Sequence, residues 1–171
     1  MKIAISANAA WNIANFRASL IGALQRHGHT VVVLAPPDAN VARLEAMGCQ
    51  FAPLPVESMG TNPLADATLF LRYLGVLRRE RPDAFLGYTI KPNIFGSLAA
   101  HQLGIPVINN VSGLGTVFIR KNLITSTVKR LYRQALRRSA RVFFQNEDDR
   151  RLFVAKKLVS PSQTRLVPGS G

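Results

Sequence analysis

Short apolar runs alternate along the chain with longer stretches in which apolar residues recur every three or four positions. That alternation marks strands separated by amphipathic helices. Lys2–Ser6 predicts a first strand, and Asn15–His27 a helix with Phe16, Leu20, Ile21, Ala23 and Leu24 on one side. Gly28 stands where a helix C-cap is wanted. Thr30–Ala35 is continuously apolar after its first residue, so it predicts a strand buried on both faces. Val41–Met47 predicts a short helix closed by Gly48, and Gln50–Leu54 a third strand. Asn62-Pro63 opens a helix that runs to about Arg79, with Asn as N-cap and Pro in the first turn. Pro82-Asp83 ends it. Then follow a strand at Ala84–Tyr88, a helix at Pro92–Leu103 stopped by Gly104, and a strand at Pro106–Val111. A helix over Asn122–Ser139, a strand at Arg141–Gln145, a helix at Asp148–Lys157 and a last strand at Thr164–Val167 complete the order.

Strand and helix in strict alternation predict an α/β fold: a Rossmann-like, doubly wound, mainly parallel sheet of about six or seven strands with helices on both faces. The pattern fits one domain over residues 1–167, with 168–171 reading as the start of an interdomain linker. At 171 residues and 47% hydrophobic content the chain is long and apolar enough for a real core. Cys49 is the only cysteine, which excludes an intrachain disulfide and suits a small buried residue before a strand. The opening stretch lacks the long apolar region of a secretory leader. The uncharged stretch Pro92–Ile119 is too rich in Asn, Gln, Pro and Gly for a membrane span. A soluble protein is expected.

Charge changes this picture. The formal net charge is +13. Between Asp83 and Glu147 there is no acidic residue, while Lys91, Arg120, Lys121, Lys129, Arg130, Arg133, Arg137, Arg138 and Arg141 all fall there. A face this one-sided attracts polyanions such as anionic lipid, diphosphates or nucleic acid. On a helical projection Ile124, Val128, Leu131, Tyr132 and Ala135 share one stripe, with Arg130, Arg137 and Arg141 opposite and Arg133 and Arg138 flanking them. The arrangement suits a helix docked on the sheet that presents arginines to an anionic membrane. It also suits a face charged for solubility alone.

In open α/β sheets ligands bind beyond the carboxyl ends of the strands, which selects three loops. Ala7–Ala14 contains no glycine, so it is neither a dinucleotide fingerprint nor a P-loop. It can offer backbone N–H groups to an anion at a helix start near Asn15. Trp11 there stacks on a ligand or covers the core. In the second loop, Thr89–Lys91, Lys91 precedes a helix start and suits a phosphate contact or plain solvation. The third, Ser112–Ile119, is glycine-rich, and Ser112 and Thr116 add donors beside it. Asn109-Asn110 at a buried strand end must be hydrogen-bonded or face a ligand. There is no nucleophile motif and no metal-binding motif. Glu147-Asp148-Asp149 is better explained as a helix start, where carboxylates meet the positive end of the dipole. No metal and no cofactor are expected.

The segments NFRASLIGALQRHGHTVVVLAP, PDAFLGYTIKPNIFGSLAAHQLGIPVINNVSGLG, VFFQNEDDRRLF and LVPGSG together resemble the amino-terminal domain of family-4 glycosyltransferases of the GT-B fold. The resemblance is strongest to bacterial enzymes that build surface polysaccharide, lipopolysaccharide or lipid-linked glycans. It covers essentially the whole chain. In that family LVPGSG is followed by a Val-Asp pair and a nucleotide-sugar domain, so the resemblance implies half an enzyme, inactive by itself. It implies a donor-diphosphate loop comprising Asn8, Trp11, Asn12, Asn15 and Phe16. It implies acceptor contacts from Tyr88, Lys91, Asn93, Asn110, Ser112, Gly113, Gly115 and Thr116. Leu86-Gly87-Tyr88 stands where many members have His-x-His, and Ser112 stands where many have a histidine, so no catalytic residue is named.

The expected function is therefore the acceptor-binding half of a retaining, nucleotide-sugar-dependent glycosyltransferase. Its acceptor would be a lipid-linked or surface-polysaccharide glycan. Its place would be cytoplasmic, peripheral on the inner face of the cytoplasmic membrane, with Arg120, Lys121, Lys129, Arg130, Arg133, Arg137, Arg138 and Arg141 toward the anionic lipid. The rivals are a nucleic-acid-binding module and a flavodoxin-like binding domain. Against the first, only Tyr132 lies among the basic residues as an aromatic. Against the second, the first loop is mostly alanine.

Overall fold

The computed structural model of the chain describes residues 1–56, 62–112 and 126–168. The strands are β1 Lys2–Ser6, β2 Thr30–Ala35, β3 Gln50–Pro53, β4 Ala84–Tyr88, β5 Val107–Val111, β6 Arg141–Phe144 and β7 Thr164–Leu166. They form one seven-stranded sheet ordered β3-β2-β1-β4-β5-β6-β7, with every pairing parallel. The helices are α1 Ala10–Phe16, α2 Ala18–Arg26, α3 Val41–Ala46, α4 Pro63–Glu80, α5 Ser97–Gln102, α6 Ser126–Arg137 and α7 Glu147–Ala155.

The strand order explains where the helices lie. From β1 the chain steps outward to β2 and β3, then returns and steps the other way from β4 to β7. Right-handed crossovers that reverse direction move their helices to the opposite face of the sheet. The two cores follow this rule. Ile13, Ala14, Ile21 and Leu44 from α1–α3 pack on Ile3, Ile5, Val31 and Val33. Tyr73, Leu77, Tyr132, Leu136 and Phe153 from α4, α6 and α7 pack with Ala4, Val32, Phe85, Val107 and Phe144 on the other face. β2 is buried on both sides, and Val31–Ala35 have no exposed surface, as its unbroken apolar run requires.

Local signals set most boundaries. The Asn62 side chain accepts from the Leu64 N–H at 3.0 Å and starts α4. Gly28, Gly48 and Gly104 take positive φ just after α2, α3 and α5, a conformation that costs glycine least. Two expectations need correction. The helix expected over Asn15–His27 begins earlier and is broken at Arg17, leaving α1 and α2. Its early start depends on Asp38, whose carboxylate accepts from the Trp11 N–H at 2.8 Å. The helix expected from Pro92 is π-wound over Pro92–Gly96 before it tightens into α5. Pro92 lies in the first turn, where its missing N–H removes no ladder bond, and isolated π turns of this kind gather at functional sites.

A buried polar network ties this π turn to the sheet. The Asn109 amide donates to Asn93 Oδ1 at 2.9 Å and Ser97 Oγ at 2.8 Å, and its oxygen accepts from Ser139 Oγ at 2.6 Å. All four residues are buried. Asn109→Ala strands Asn93 Oδ1 and removes three bonds, so it should cost about 2 kcal/mol in urea unfolding. A loss under about 0.5 kcal/mol would show that water replaces the amide.

Candidate active-site face at the switch point

Strand order reverses between β1 and β4, which opens a crevice at their carboxyl ends. Ser6 pairs with Gly87 there, and Tyr88 pairs with Asn110 across β4 and β5. On this edge lie Asn12 of α1, Arg17 between α1 and α2, Thr89 just after β4, and Asn110. Asn12 Oδ1, Arg17 Nε, Thr89 Oγ1 and Asn110 Oδ1 are all buried without a hydrogen-bond partner. Buried polar atoms are normally satisfied, so four unsatisfied atoms on one edge are unusual. Thr89 also holds φ at +63°, a strained state for a β-branched residue. Strain of this kind gathers at ligand-binding positions.

Arg17 is the residue that the sequence reading missed. Only 7% of it is exposed, and its guanidinium carbon sits 4.3 Å from the centroid of the Tyr88 ring. Its Nη1 donates to the Phe16 carbonyl at 3.0 Å. Burial disfavours its charge and pushes its pKa down, with Tyr88 opposing the shift. Burial in turn pushes the Tyr88 hydroxyl pKa up, with Arg17 working against that.

The expected donor-diphosphate residues are distributed unevenly. Trp11 is half exposed and meets Phe16 edge to face at 5.4 Å, so it does not cover the core. Asn8 and Asn12 are partly buried. Asn15 itself is not at a helix start, since α1 begins at Ala10 and α2 at Ala18. Asn15 lies in the last turn of α1, donating to the Trp11 carbonyl and accepting from Arg43. The true start of α1 is already occupied by Asp38. Burial works against that carboxylate's charge, but its bonds from Trp11 and Asn40 outweigh burial and hold its pKa below the usual range.

The expected acceptor residues also divide. Tyr88 lies under Arg17, Asn110 is half-buried beside it, and Ser112 is exposed. Asn93 is turned into the core network. Lys91 is paired with Asp66 at 3.0 Å, in a cleft of about 180 Å³ that Arg72 and Pro55 also line. Gly113, Gly115, Thr116, Arg120 and Lys121 lie outside the described residues, as do the side chains of Ile124 and Val128.

On α6 the apolar stripe is seated inward, with Tyr132, Ala135 and Leu136 buried and Leu131 packed against the core. Arg130, Arg133, Arg137 and Arg138 are exposed, as is Arg141 at the start of β6, while Lys129 is half-buried. Arg133 has a structural duty. It donates to the Lys156 and Lys157 carbonyls at 3.2 and 3.0 Å, closing the end of α7. At the other end of α7 Asn146 accepts from the Asp149 N–H, and Glu147 pairs with Arg150 and Arg151. The acidic triplet thus serves a helix start. Among the described residues no group of three His, Cys, Asp or Glu could hold a metal, and no helix is long and apolar enough to cross a membrane.

An all-parallel sheet whose strand order reverses between β1 and β4 defines a Rossmann-type α/β domain. The chain belongs to the glycosyl transferase 4-like domain family, which matches residues 13–169. Its fold is that of the amino-terminal domain of a GT-B glycosyltransferase, in keeping with the sequence resemblance. MurG from Acinetobacter baumannii superposes with a TM-score of 0.62 at 17% identity, over 99% of this chain and 45% of that one. A glycosyltransferase from Rickettsia africae gives 0.71 at 13% identity, over 98% and 42%. The UDP-GlcNAc 2-epimerase from Neisseria meningitidis, solved with UDP-GlcNAc, gives 0.70 at 20% identity, over 99% and 47%. At these identities the likeness is one of fold. The chain spans less than half the length of each. No curated protein matches the sequence.

Proposed function

We propose that this chain is the acceptor-side half of a retaining glycosyltransferase that takes its sugar from a nucleotide diphosphate sugar. The observation that carries the reading is the set of unpartnered oxygens on Asn12, Thr89 and Asn110 at the carboxyl edge. Sugar hydroxyls donate readily to such oxygens. A nucleic-acid backbone, which is all acceptor apart from RNA's 2′-hydroxyl, does not. The donor half would be a second Rossmann domain facing this edge. Catalysis would then consist of positioning the acceptor hydroxyl and stabilising the departing diphosphate. The acceptor is a lipid-linked or surface-polysaccharide glycan. The arginine face of α6 holds the domain at the inner face of the cytoplasmic membrane, where such acceptors are anchored.

The test joins this domain to its donor half and follows sugar transfer to a lipid-linked acceptor. The 171-residue chain alone should transfer nothing. In the two-domain protein Asn110→Ala should lower kcat/KM about tenfold, the worth of one lost hydrogen bond near 1.4 kcal/mol. Epimerisation of a nucleotide sugar without any transfer would replace the reading.

A further inference from the structure

A buried cation without a counter-charge needs a reason. Among the described residues Arg17 is the one charged side chain that is buried. None of the ion pairs among them includes it. Five N–H donors on a guanidinium want acceptors, yet Arg17 bonds the Phe16 carbonyl and its Nε has no partner. Buried charges are otherwise paired, because leaving water uncompensated is costly. The fold goes out of its way to place this one. It breaks a helix at Arg17, and it sets the guanidinium carbon over the Tyr88 ring, 4.3 Å from its centroid. A contact with the ring face leaves the N–H donors of the fork free for another partner. α2 begins beside it at Ala18, with no acid in its first turn and no side-chain cap, so no carboxylate of that helix start meets the guanidinium. Asn110 lies opposite Tyr88 in the sheet, and its free oxygen marks the same edge.

We infer that Arg17 is the phosphate ligand of this face, its guanidinium held ready on Tyr88 to take a phosphate or diphosphate group of the bound substrate. This rests on the transferase reading only for the identity of the substrate. The diphosphate could belong to the sugar donor or to a lipid-linked acceptor, and the chemistry at Arg17 is the same. A guanidinium fork suits the geometry of two phosphate oxygens better than an ammonium does.

The experiment titrates the chain with inorganic pyrophosphate by calorimetry at physiological salt, in an Arg130→Gln, Arg137→Gln, Arg138→Gln background that removes exposed arginines. Arg17→Met should weaken pyrophosphate binding at least tenfold, and its thermal midpoint without ligand should stay level or rise, because a costly buried charge is gone. Arg17→Lys keeps the charge without the fork and should bind at least threefold more weakly than Arg17. Arg26→Gln, an exposed change on α2, should bind as the background does. If Arg17→Met fails to fold, Arg17→Lys decides. Unchanged pyrophosphate affinity in Arg17→Lys or Arg17→Met overturns the assignment, as does absence of pyrophosphate binding in the background protein. A nucleoside diphosphate that binds more tightly than pyrophosphate, in an Arg17-dependent way, places the donor there. An isoprenyl diphosphate that does so places the acceptor there. Neither titration depends on sugar transfer. Arg17-dependent binding with no transfer by the two-domain protein would sink the transferase reading alone. Transfer without Arg17-dependent binding would sink this inference alone.

Discussion

Gly96→Ala should lower the unfolding free energy by about 3 kcal/mol, at the upper end of the usual cost of overpacking a filled core. Gly96 closes the π turn and lies against β4. A Cβ built on it collides with Phe85 Cζ and comes within 3.0 Å of a second ring carbon. Phe85 cannot step aside, since it has no exposed surface and its ring meets Tyr73 edge to face at 6.1 Å. Tyr73 is itself fixed, its hydroxyl 2.8 Å from Ser6 Oγ, which donates to the Leu34 carbonyl at 2.7 Å. The strain therefore spreads into β1 and β2, the centre of the sheet. Alanine's better helix propensity returns only about 1 kcal/mol. A second substitution identifies the clash. Phe85→Leu removes the colliding ring, so it should cost at least about 1 kcal/mol less in the Gly96→Ala background than in the parent. Urea unfolding of the four proteins measures this coupling. Additive effects would mean that the π turn shifts away from β4 and that the ring is not what fixes its place.

Most of the sheet was legible because its signals are local. β1, β2 and β4 have the bounds that their apolar runs predict, and Asn62-Pro63 starts α4 through the Asn62 side chain. Positive φ at Gly28, Gly48 and Gly104 follows from glycine's placement after each amphipathic stretch. What escaped depends on partners distant in sequence. Ala9 is a poor N-cap, and nothing nearby announces a helix at Ala10. The cap on Trp11 comes from Asp38, 27 residues later. Lys91 looks like a free cation until α4 brings Asp66 to it. Asn93 looks like a loop donor until Asn109 and Asn110 claim both its groups. Arg17 is the sharpest case. Within NFRASL it reads as a surface cation on an amphipathic helix, and only Tyr88, at the end of β4, shows that it is buried. One sequence signal did exist. No acidic residue stands anywhere from Ala7 to Pro37, so a buried cation there had no local counter-charge.

Replacing Arg130, Arg137 and Arg138 together by Gln should remove most binding of the chain to anionic vesicles. Each Arg or Lys near such a surface contributes roughly 1 kcal/mol, so three lower the partition coefficient about 100-fold. The structure makes this a test of charge and not of folding. All three side chains are exposed on α6, while its opposite face is anchored by Tyr132, Ala135 and Leu136. Arg133 is left in place, since its guanidinium closes the end of α7. The surroundings reinforce the field. Lys156 and Lys157 are exposed beside Arg133, and Arg137 borders grooves floored on one side by Leu98 and on the other by Val154, Leu158 and Val159. The carboxylates of α7 sit at its far end, occupied with its N-terminus. Nothing acidic among the described residues of α6 or β6 offsets the arginines. Cosedimentation with phosphatidylglycerol vesicles measures the effect, and the triple variant should keep the parent's thermal midpoint within about 2 °C, as surface changes usually do. Binding should weaken as salt rises, because screening shortens to about 8 Å at physiological ionic strength. A duplex-DNA gel shift run in parallel separates the rival. Vesicle binding that survives the three substitutions would remove α6 as the membrane face. Tight duplex binding at physiological salt without vesicle binding would assign the same arginines to nucleic acid.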